Sequence, residues 1–92
     1  MDSTIFPVVD SMSRTLQSLR HEALRGLLVE KRKKAGLTQQ QVAAKLKRYQ
    51  SFVATVEAGQ RRIDVVEFLA FAEAIGFDAK EAIKRLLATK AD

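Results

Sequence analysis

Helix-start and helix-end signals alternate along this sequence and divide it into short helices. A capping box pairs a Ser, Thr, Asp or Asn with a Glu or Gln three positions later, so that two free backbone N–H groups at a helix start are satisfied. Boxes begin at Thr38, Asp64 and Asp78. Glycines that can end a helix in left-handed geometry follow helical stretches at Gly36, Gly59 and Gly76. Because the glycines alternate with the boxes, the chain is predicted to be a series of short helices.

The spacing of apolar residues at three and four positions supports five helices, and no segment alternates long enough to form a strand. The fold class is therefore predicted to be all-α. The helices are predicted at 21–35, 39–46, 50–58, 65–75 and 79–88, in one domain spanning 21–88. Residues 1–20 form either an N-terminal arm or a short extra helix, and residues 89–92 form a C-terminal tail.

Composition excludes several functional classes. The 92 residues include no cysteine and a single histidine, His21, so disulfide scaffolds and the usual metal sites are excluded and no metal or cofactor is expected. His21 is interpreted as a helix-start residue without chemistry. An enzyme is not expected, because there is no glycine-rich phosphate loop and no carboxylate pair at metal spacing. No apolar run reaches the roughly 20 residues that cross a membrane, and no secretory signal is present, so a cytoplasmic location is expected.

The positive charge lies in the middle of the chain. The net charge is +5, and six basic residues against two acidic ones lie between Arg20 and Lys34. Five basic residues against one acidic residue lie between Lys45 and Arg62, whereas the segment after Asp64 is net acidic. Such a distribution is typical of a face that meets phosphates, although a solvated basic surface remains an alternative.

The second and third predicted helices have the features of a helix-turn-helix unit at about 39–58. Two short helices that cross steeply need a small residue at the contact and apolar residues facing the core. Ala43 is the small residue. The core-facing residues are Val42, Leu46, Val53 and Val56.

The same region resembles the XRE family, the lambda-repressor-like or Cro/repressor-like domains, and within it the short single-domain bacterial regulators. The segments that carry the resemblance are GLTQQQVA at 36–43, QSFV at 50–53 and EAGQRR at 57–62. It covers roughly Leu24 to Leu87 and implies a five-helix domain, with an N-terminal extension, that binds double-stranded DNA.

The resemblance assigns roles to individual positions. Gln50 matches a base-reading position, where a glutamine amide can bond adenine N6 and N7 together. Weaker base-reading positions are Ser51, Ala54 and Thr55. Phosphate contacts are implied for Gln39, Arg61 and Arg62, and Gln39 is also expected to brace the first base-reading residue. Further candidates for phosphate contact lie in the turn between the two helices: Lys47, Arg48 and Tyr49. Glu57 is expected to form a structural salt bridge with Arg32 rather than to act as an acid.

Two positions depart from the family pattern, both in the turn. Lys47 stands where the family usually has glycine. Either it adopts left-handed geometry, at a cost of about 1 kcal/mol, or the turn is built differently. Tyr49 stands where close relatives tend to have proline. Its ring either packs on the sugar-phosphate backbone or covers the turn, and the sequence favours neither.

The fourth helix is apolar nearly all round, which indicates burial on more than one side. We therefore expect a homodimer that binds an inverted repeat, most simply as a transcriptional repressor. The alternative is an antitoxin-like protein-interaction module that binds a partner protein and DNA only secondarily.

Overall fold

Five α-helices and no strands make up residues 18–90, the part of the chain that the computed structural model describes. The all-α prediction is confirmed. The helices are α1 Leu19–Lys34, α2 Gln39–Leu46, α3 Gln50–Glu57, α4 Val65–Ile75 and α5 Ala79–Ala88. The choice between an arm and an extra helix at 1–20 lies almost wholly outside the described residues. Within them, no helix is long and apolar enough to span a membrane.

Helix starts follow the capping residues. The boxes at Thr38 and Asp64 are complete, with both reciprocal hydrogen bonds present. At Asp78 the side chain accepts from the N–H groups of Lys80 and Glu81, but no return bond completes a box. Helix α1 begins two residues earlier than predicted, because the Ser18 hydroxyl accepts the His21 N–H and serves as the cap.

Helix ends also follow the predicted pattern. All three predicted glycines adopt positive φ, between 75° and 94°. Lys47 is the one non-glycine residue of the described chain with positive φ, at 59°. The turn therefore keeps the left-handed geometry that the family builds with glycine, instead of adopting another shape.

All five helices contribute to the core, and α2 packs on both α3 and α4. Its largest fully buried side chains are Phe71, Leu27, Leu28, Val42 and Val53. Ala43, the small residue predicted at the crossing of α2 and α3, is 2% exposed. Nine hydrophobic residues form one contiguous cluster, so the helix-turn-helix unit is held against α1 and α4 by a single core.

Helix α4 is not buried on several sides within the monomer. Phe68, Phe71 and Ala72 face the core, but the other apolar residues of α4 are largely outside it. Together with two residues of α5 they form an exposed group that we call the α4–α5 apolar surface: Val65, Val66, Leu69, Ile83 and Leu87.

Candidate nucleic-acid interface

A turn of three residues joins α2 to α3 and sets the direction of α3. The Lys47 N–H donates to Ala44 O at 3.1 Å, and the Arg48 N–H donates to Ala43 O at 3.0 Å. These bonds satisfy carbonyl groups that the end of α2 would otherwise leave free. Tyr49 then adopts an extended conformation as the first residue before α3, with no side-chain capping bond.

One face of α3 is open to solvent and carries the predicted base-reading residues. Gln50 and Ser51 are exposed, and Ala54 and Thr55 are partly exposed. The Thr55 hydroxyl donates back to the carbonyl groups of Ser51 and Phe52, both at 2.9 Å. Its proton is therefore engaged within the helix, which leaves the methyl group and a hydroxyl lone pair for a ligand.

A chain of side-chain hydrogen bonds runs from this face into the core. Gln50 Nε2 donates to Gln39 Oε1 at 2.7 Å, and Gln39 Nε2 donates to Glu57 Oε1 at 2.8 Å. Glu57 is 8% exposed and also accepts from Arg32, with Nε at 2.6 Å and Nη2 at 3.0 Å. The structure thus brings together a base-reading candidate, a phosphate candidate and the expected salt bridge.

This series of hydrogen bonds fixes the orientation of the Gln50 amide. An ionised carboxylate only accepts hydrogen bonds, so Gln39 must turn its NH₂ group to Glu57 and its oxygen to Gln50. Gln50 therefore donates one N–H inward. Its second N–H and its carbonyl oxygen remain for a ligand, and this is the donor–acceptor pair that complements adenine in the major groove.

The far end of α3 is held by α1. Besides Glu57, the Arg32 guanidinium donates to Leu37 O at 2.9 Å, and the hydrogen bond with Glu57 raises the pKa of Arg32. Arg25 Nη1 donates to Glu57 O at 2.9 Å. His21 Nε2 lies 3.1 Å from Gly59 O. Arg25 thereby satisfies the last carbonyl group of α3, whereas the three carbonyl groups before it accept backbone N–H groups from residues 58–60.

His21 has a role that the sequence did not reveal. It lies at the start of α1, as expected, but it is buried and contacts the residue just beyond α3. The contact spans 38 positions in sequence, so no local pattern signals it. Gly59 itself has a φ of 80°, and a Cβ atom there would lie 2.9 Å from Arg25 Cδ.

Apart from Gln39, the predicted phosphate-contacting residues lie in two places, one around the turn and the Phe52 ring and the other near Ser18. Lys47, Arg48 and Tyr49 surround an open cleft at the turn, and Tyr49 is 86% exposed, so its ring does not cover the turn. Arg61 follows α3 in the chain, yet its guanidinium, like that of Arg48, packs on the Phe52 ring. Arg62 lies elsewhere, with Nη2 donating to Ser18 Oγ at 3.4 Å.

Glu67 also has a role that the sequence did not reveal. The sequence indicated it only as part of a capping box. Its carboxylate accepts from the Asp64 N–H, from Arg61 and from Arg48. The backbone hydrogen bond from Asp64, followed by the interactions with the two arginines, lowers the pKa of Glu67. An acidic group is thus placed beside two cations that the sequence predicts to bind phosphate.

Two short helices joined by a three-residue turn, with one exposed face on the second helix and basic residues before and after it, define a helix-turn-helix DNA-binding domain. Comparison with known proteins agrees, because a family model described as a helix-turn-helix domain matches residues 11–83. The chain belongs to this family, and within it to the XRE-type DNA-binding transcription regulators. No curated protein matches it.

Solved structures show the same fold. An XRE-family like protein from Pseudomonas syringae pv. tomato str. DC3000 is 43% identical, with a TM-score of 0.75, over 84% of this chain and 94% of that one. The restriction-modification controller protein C.AhdI from Aeromonas hydrophila is 31% identical, with a TM-score of 0.61, over 73% and 94%. The controller protein C.Esp1396I, described as a tetramer in complex with its natural operator, is 14% identical, with a TM-score of 0.70, over 77% and 93%.

Proposed function

We propose that this protein is a sequence-specific transcriptional repressor that places α3 in the major groove of double-stranded DNA, with Gln50 reading an adenine. The observation that carries the proposal is the hydrogen-bond chain from Gln50 through Gln39 to Glu57. It orients the Gln50 amide before DNA arrives, so little side-chain freedom remains to be lost on binding. Ser51, Ala54 and Thr55 add contacts along the same face, with the Ala54 and Thr55 methyl groups suited to thymine methyls.

Affinity that does not depend on sequence comes from the groups around α3. Gln39 at the start of α2 lies next to free helix N–H groups, a favourable place for a phosphate. The cleft lined by Lys47, Arg48 and Tyr49 offers two cations and an exposed phenol in the turn between α2 and α3. Arg61 and Arg62 supply further positive charge beyond α3. Each phosphate contact should contribute to the salt dependence of binding.

A second copy of the chain is the proposed occupant of the α4–α5 apolar surface. Val65 and Ile83 from this surface line one groove whose walls are almost entirely apolar, with Leu24, Ile63 and Leu86 beside them. A two-fold dimer would present two α3 helices to successive major grooves about 34 Å apart, and the operator would be an inverted repeat. One solved neighbour, C.Esp1396I, is itself described as a tetramer on its operator.

The dimer is tested by sedimentation of the wild type and of two variants. Ile83→Glu puts a charge into the groove and should give a monomer at concentrations where the wild type is a dimer. Glu81→Gln changes charge on another side of α5 and should leave the dimer intact. A wild type that is monomeric both at micromolar concentration and on DNA contradicts the proposal.

The same surface supports one second candidate. If it binds a different protein, the chain is an antitoxin-like interaction module in which DNA binding is secondary. Co-purification of a co-encoded partner that shields Val66 and Leu69 from solvent, together with weak binding to every DNA sequence, is the outcome that favours this alternative.

The reading role is tested by selecting bound sites from random DNA and then measuring affinity for every single-base variant of the selected site. Gln50→Ala should relax the preference at one base pair, at a cost of about 1–3 kcal/mol there. Arg61→Ala is the contrasting variant, because loss of a phosphate contact weakens every single-base variant of the selected site alike. If Gln50→Ala keeps the full base preference, Gln50 does not read a base as proposed.

A further inference from the structure

Glu67 is placed so that one carboxylate meets both cations that flank the reading helix. Oε2 lies 3.2 Å from Arg61 Nη2 and 3.5 Å from Arg48 Nη1, and Oε1 lies 3.3 Å from Arg61 Nη1. Oε1 also accepts the Asp64 N–H at 2.9 Å, which fixes the carboxylate in the first turn of α4. Arg48 precedes α3 and Arg61 follows it, so the carboxylate joins the two ends of the predicted phosphate-contacting region.

The Phe52 ring contacts the guanidinium groups of both arginines. The guanidinium carbon of Arg48 lies 3.7 Å from the ring centroid and that of Arg61 lies 4.9 Å from it. Stacking on the ring and pairing with the carboxylate together restrict long side chains that would otherwise sample many rotamers. The two charges are therefore held at a defined distance from Gln50.

A carboxylate and a phosphate are recognised by the same donors of a guanidinium. Glu67 consequently occupies donors that Arg48 and Arg61 would offer to the DNA backbone. Both arginine side chains are 42% exposed, and ion pairs at that exposure are weak, so a correctly placed phosphate can share or replace the carboxylate.

We propose that Glu67 is a specificity-determining positioning residue, which holds Arg48 and Arg61 on the Phe52 ring and competes with backbone phosphates for them. Non-specific binding is essentially all phosphate contact and can use any register that a mobile arginine reaches. Arginines that are held in place reach backbone phosphates only when the protein lies on the DNA in the register in which Gln50 meets its base. Glu67 therefore weakens non-specific binding more than specific binding. This inference rests on the proposed DNA-binding function.

The test compares Glu67→Gln with the wild type on two labelled duplexes, the selected site and a scrambled sequence, over a series of KCl concentrations. Glutamine keeps an oxygen for the Asp64 N–H, and the chain already uses glutamine in this role at Gln41. Glu67→Gln should bind the scrambled duplex about three- to tenfold more tightly and the selected site less than about twofold more tightly. The salt slope on scrambled DNA should steepen by about 0.9 for each phosphate gained.

Glu73→Gln is the matched control, because it makes the same charge change on the exposed side of α4. Its affinity for scrambled DNA should stay within about twofold of the wild type. Glu67→Gln is also measured in an Arg48→Ala/Arg61→Ala background, where it should have no effect. Circular dichroism confirms that each variant is folded.

The outcomes separate this inference from the proposed function. Three results would overturn the inference, because Glu67 would then act through net charge or not at all. Glu67→Gln could behave as Glu73→Gln does, or it could raise the affinity for both duplexes equally. Its effect could also persist without the two arginines. If Glu67→Gln instead weakens both duplexes, the competition is also refuted. A wild type with no preference for any duplex overturns the proposed function itself.

Discussion

Replacing Glu57 by glutamine should destabilise the protein far more than such an isosteric change usually does. The carboxylate accepts three side-chain hydrogen bonds: Arg32 Nε at 2.6 Å, Arg32 Nη2 at 3.0 Å and Gln39 Nε2 at 2.8 Å. A glutamine at position 57 keeps one oxygen. In either orientation of its amide, the NH₂ group faces at least one donor, and Arg32 loses the negative charge beside it.

The size of the effect follows from burial. Glu57 is 8% exposed and the Arg32 side chain 13%, so solvent replaces little of what is lost. Removing one partner of a buried ion pair costs about 3–5 kcal/mol. Because the introduced glutamine retains one acceptor and Arg32 keeps its bond to Leu37 O, we expect about 3 kcal/mol, at the low end of that range. For a domain of this size, that corresponds to a fall in Tm of about 12–24 °C.

Urea unfolding followed by circular dichroism at 222 nm measures this loss. Glu73→Gln is the control, since it removes an exposed charge and should stay within about 0.5 kcal/mol of the wild type. The double variant Arg32→Met/Glu57→Leu should recover part of the loss, because apolar replacement of a whole buried pair is often tolerated. A cost below about 1 kcal/mol for Glu57→Gln would refute the view that this pair anchors α3.

Three further outcomes are expected. Lys47→Gly should raise the free energy of unfolding by about 1 kcal/mol, because φ is 59° there, and an unchanged urea midpoint would contradict that strain. Gly59→Ala should lower the stability more than Gly36→Ala. Both positions have positive φ, which costs alanine about 1 kcal/mol, but only at position 59 would the Cβ atom meet Arg25, 2.9 Å away. Equal falls in Tm for the two variants would count against the contact. The lowered pKa of Glu67, due first to the Asp64 N–H and then to the arginines, stabilises the fold above the unfolded pKa, and this contribution disappears as pH falls through the folded pKa. The stability difference between the wild type and Glu67→Gln should therefore shrink in acid, and a difference that is constant from pH 7 to pH 3 would be inconsistent with it.

Local signals predicted much of this fold because helix ends depend on a few neighbouring residues. Thr38, Asp64 and the three glycines fix their own backbone and that of the next turn, and the helix bounds fall within two residues of those predicted. The left-handed geometry at Lys47 was suggested by the family resemblance, in which this position is usually glycine, and not by the lysine itself. The contact between Gln39 and Gln50 was implied by the family resemblance, since these residues are brought together by the turn itself.

Contacts between distant segments were not predictable in this way. His21 meets Gly59 only because α1 packs against the end of α3, and Glu67 meets Arg48 only because α4 begins beside the turn. Neither residue type nor spacing encodes these pairs. The apolar composition of α4 predicted burial on more than one side, but it could not show that Val65 and Val66 would be exposed in the monomer.

The position of α3 is determined by other helices to a greater degree than by its own sequence. It has eight residues and no side-chain N-cap, and a helix of that length is marginal in isolation. Its start is tied to α2 through Gln39, and its end is tied to α1 through Arg32 and His21. Since these ties exist without DNA, the helix does not have to be ordered on binding, and more of the contact energy is available for affinity and base discrimination. Arg32 and His21 of α1 therefore help to set the position of the helix that carries Gln50.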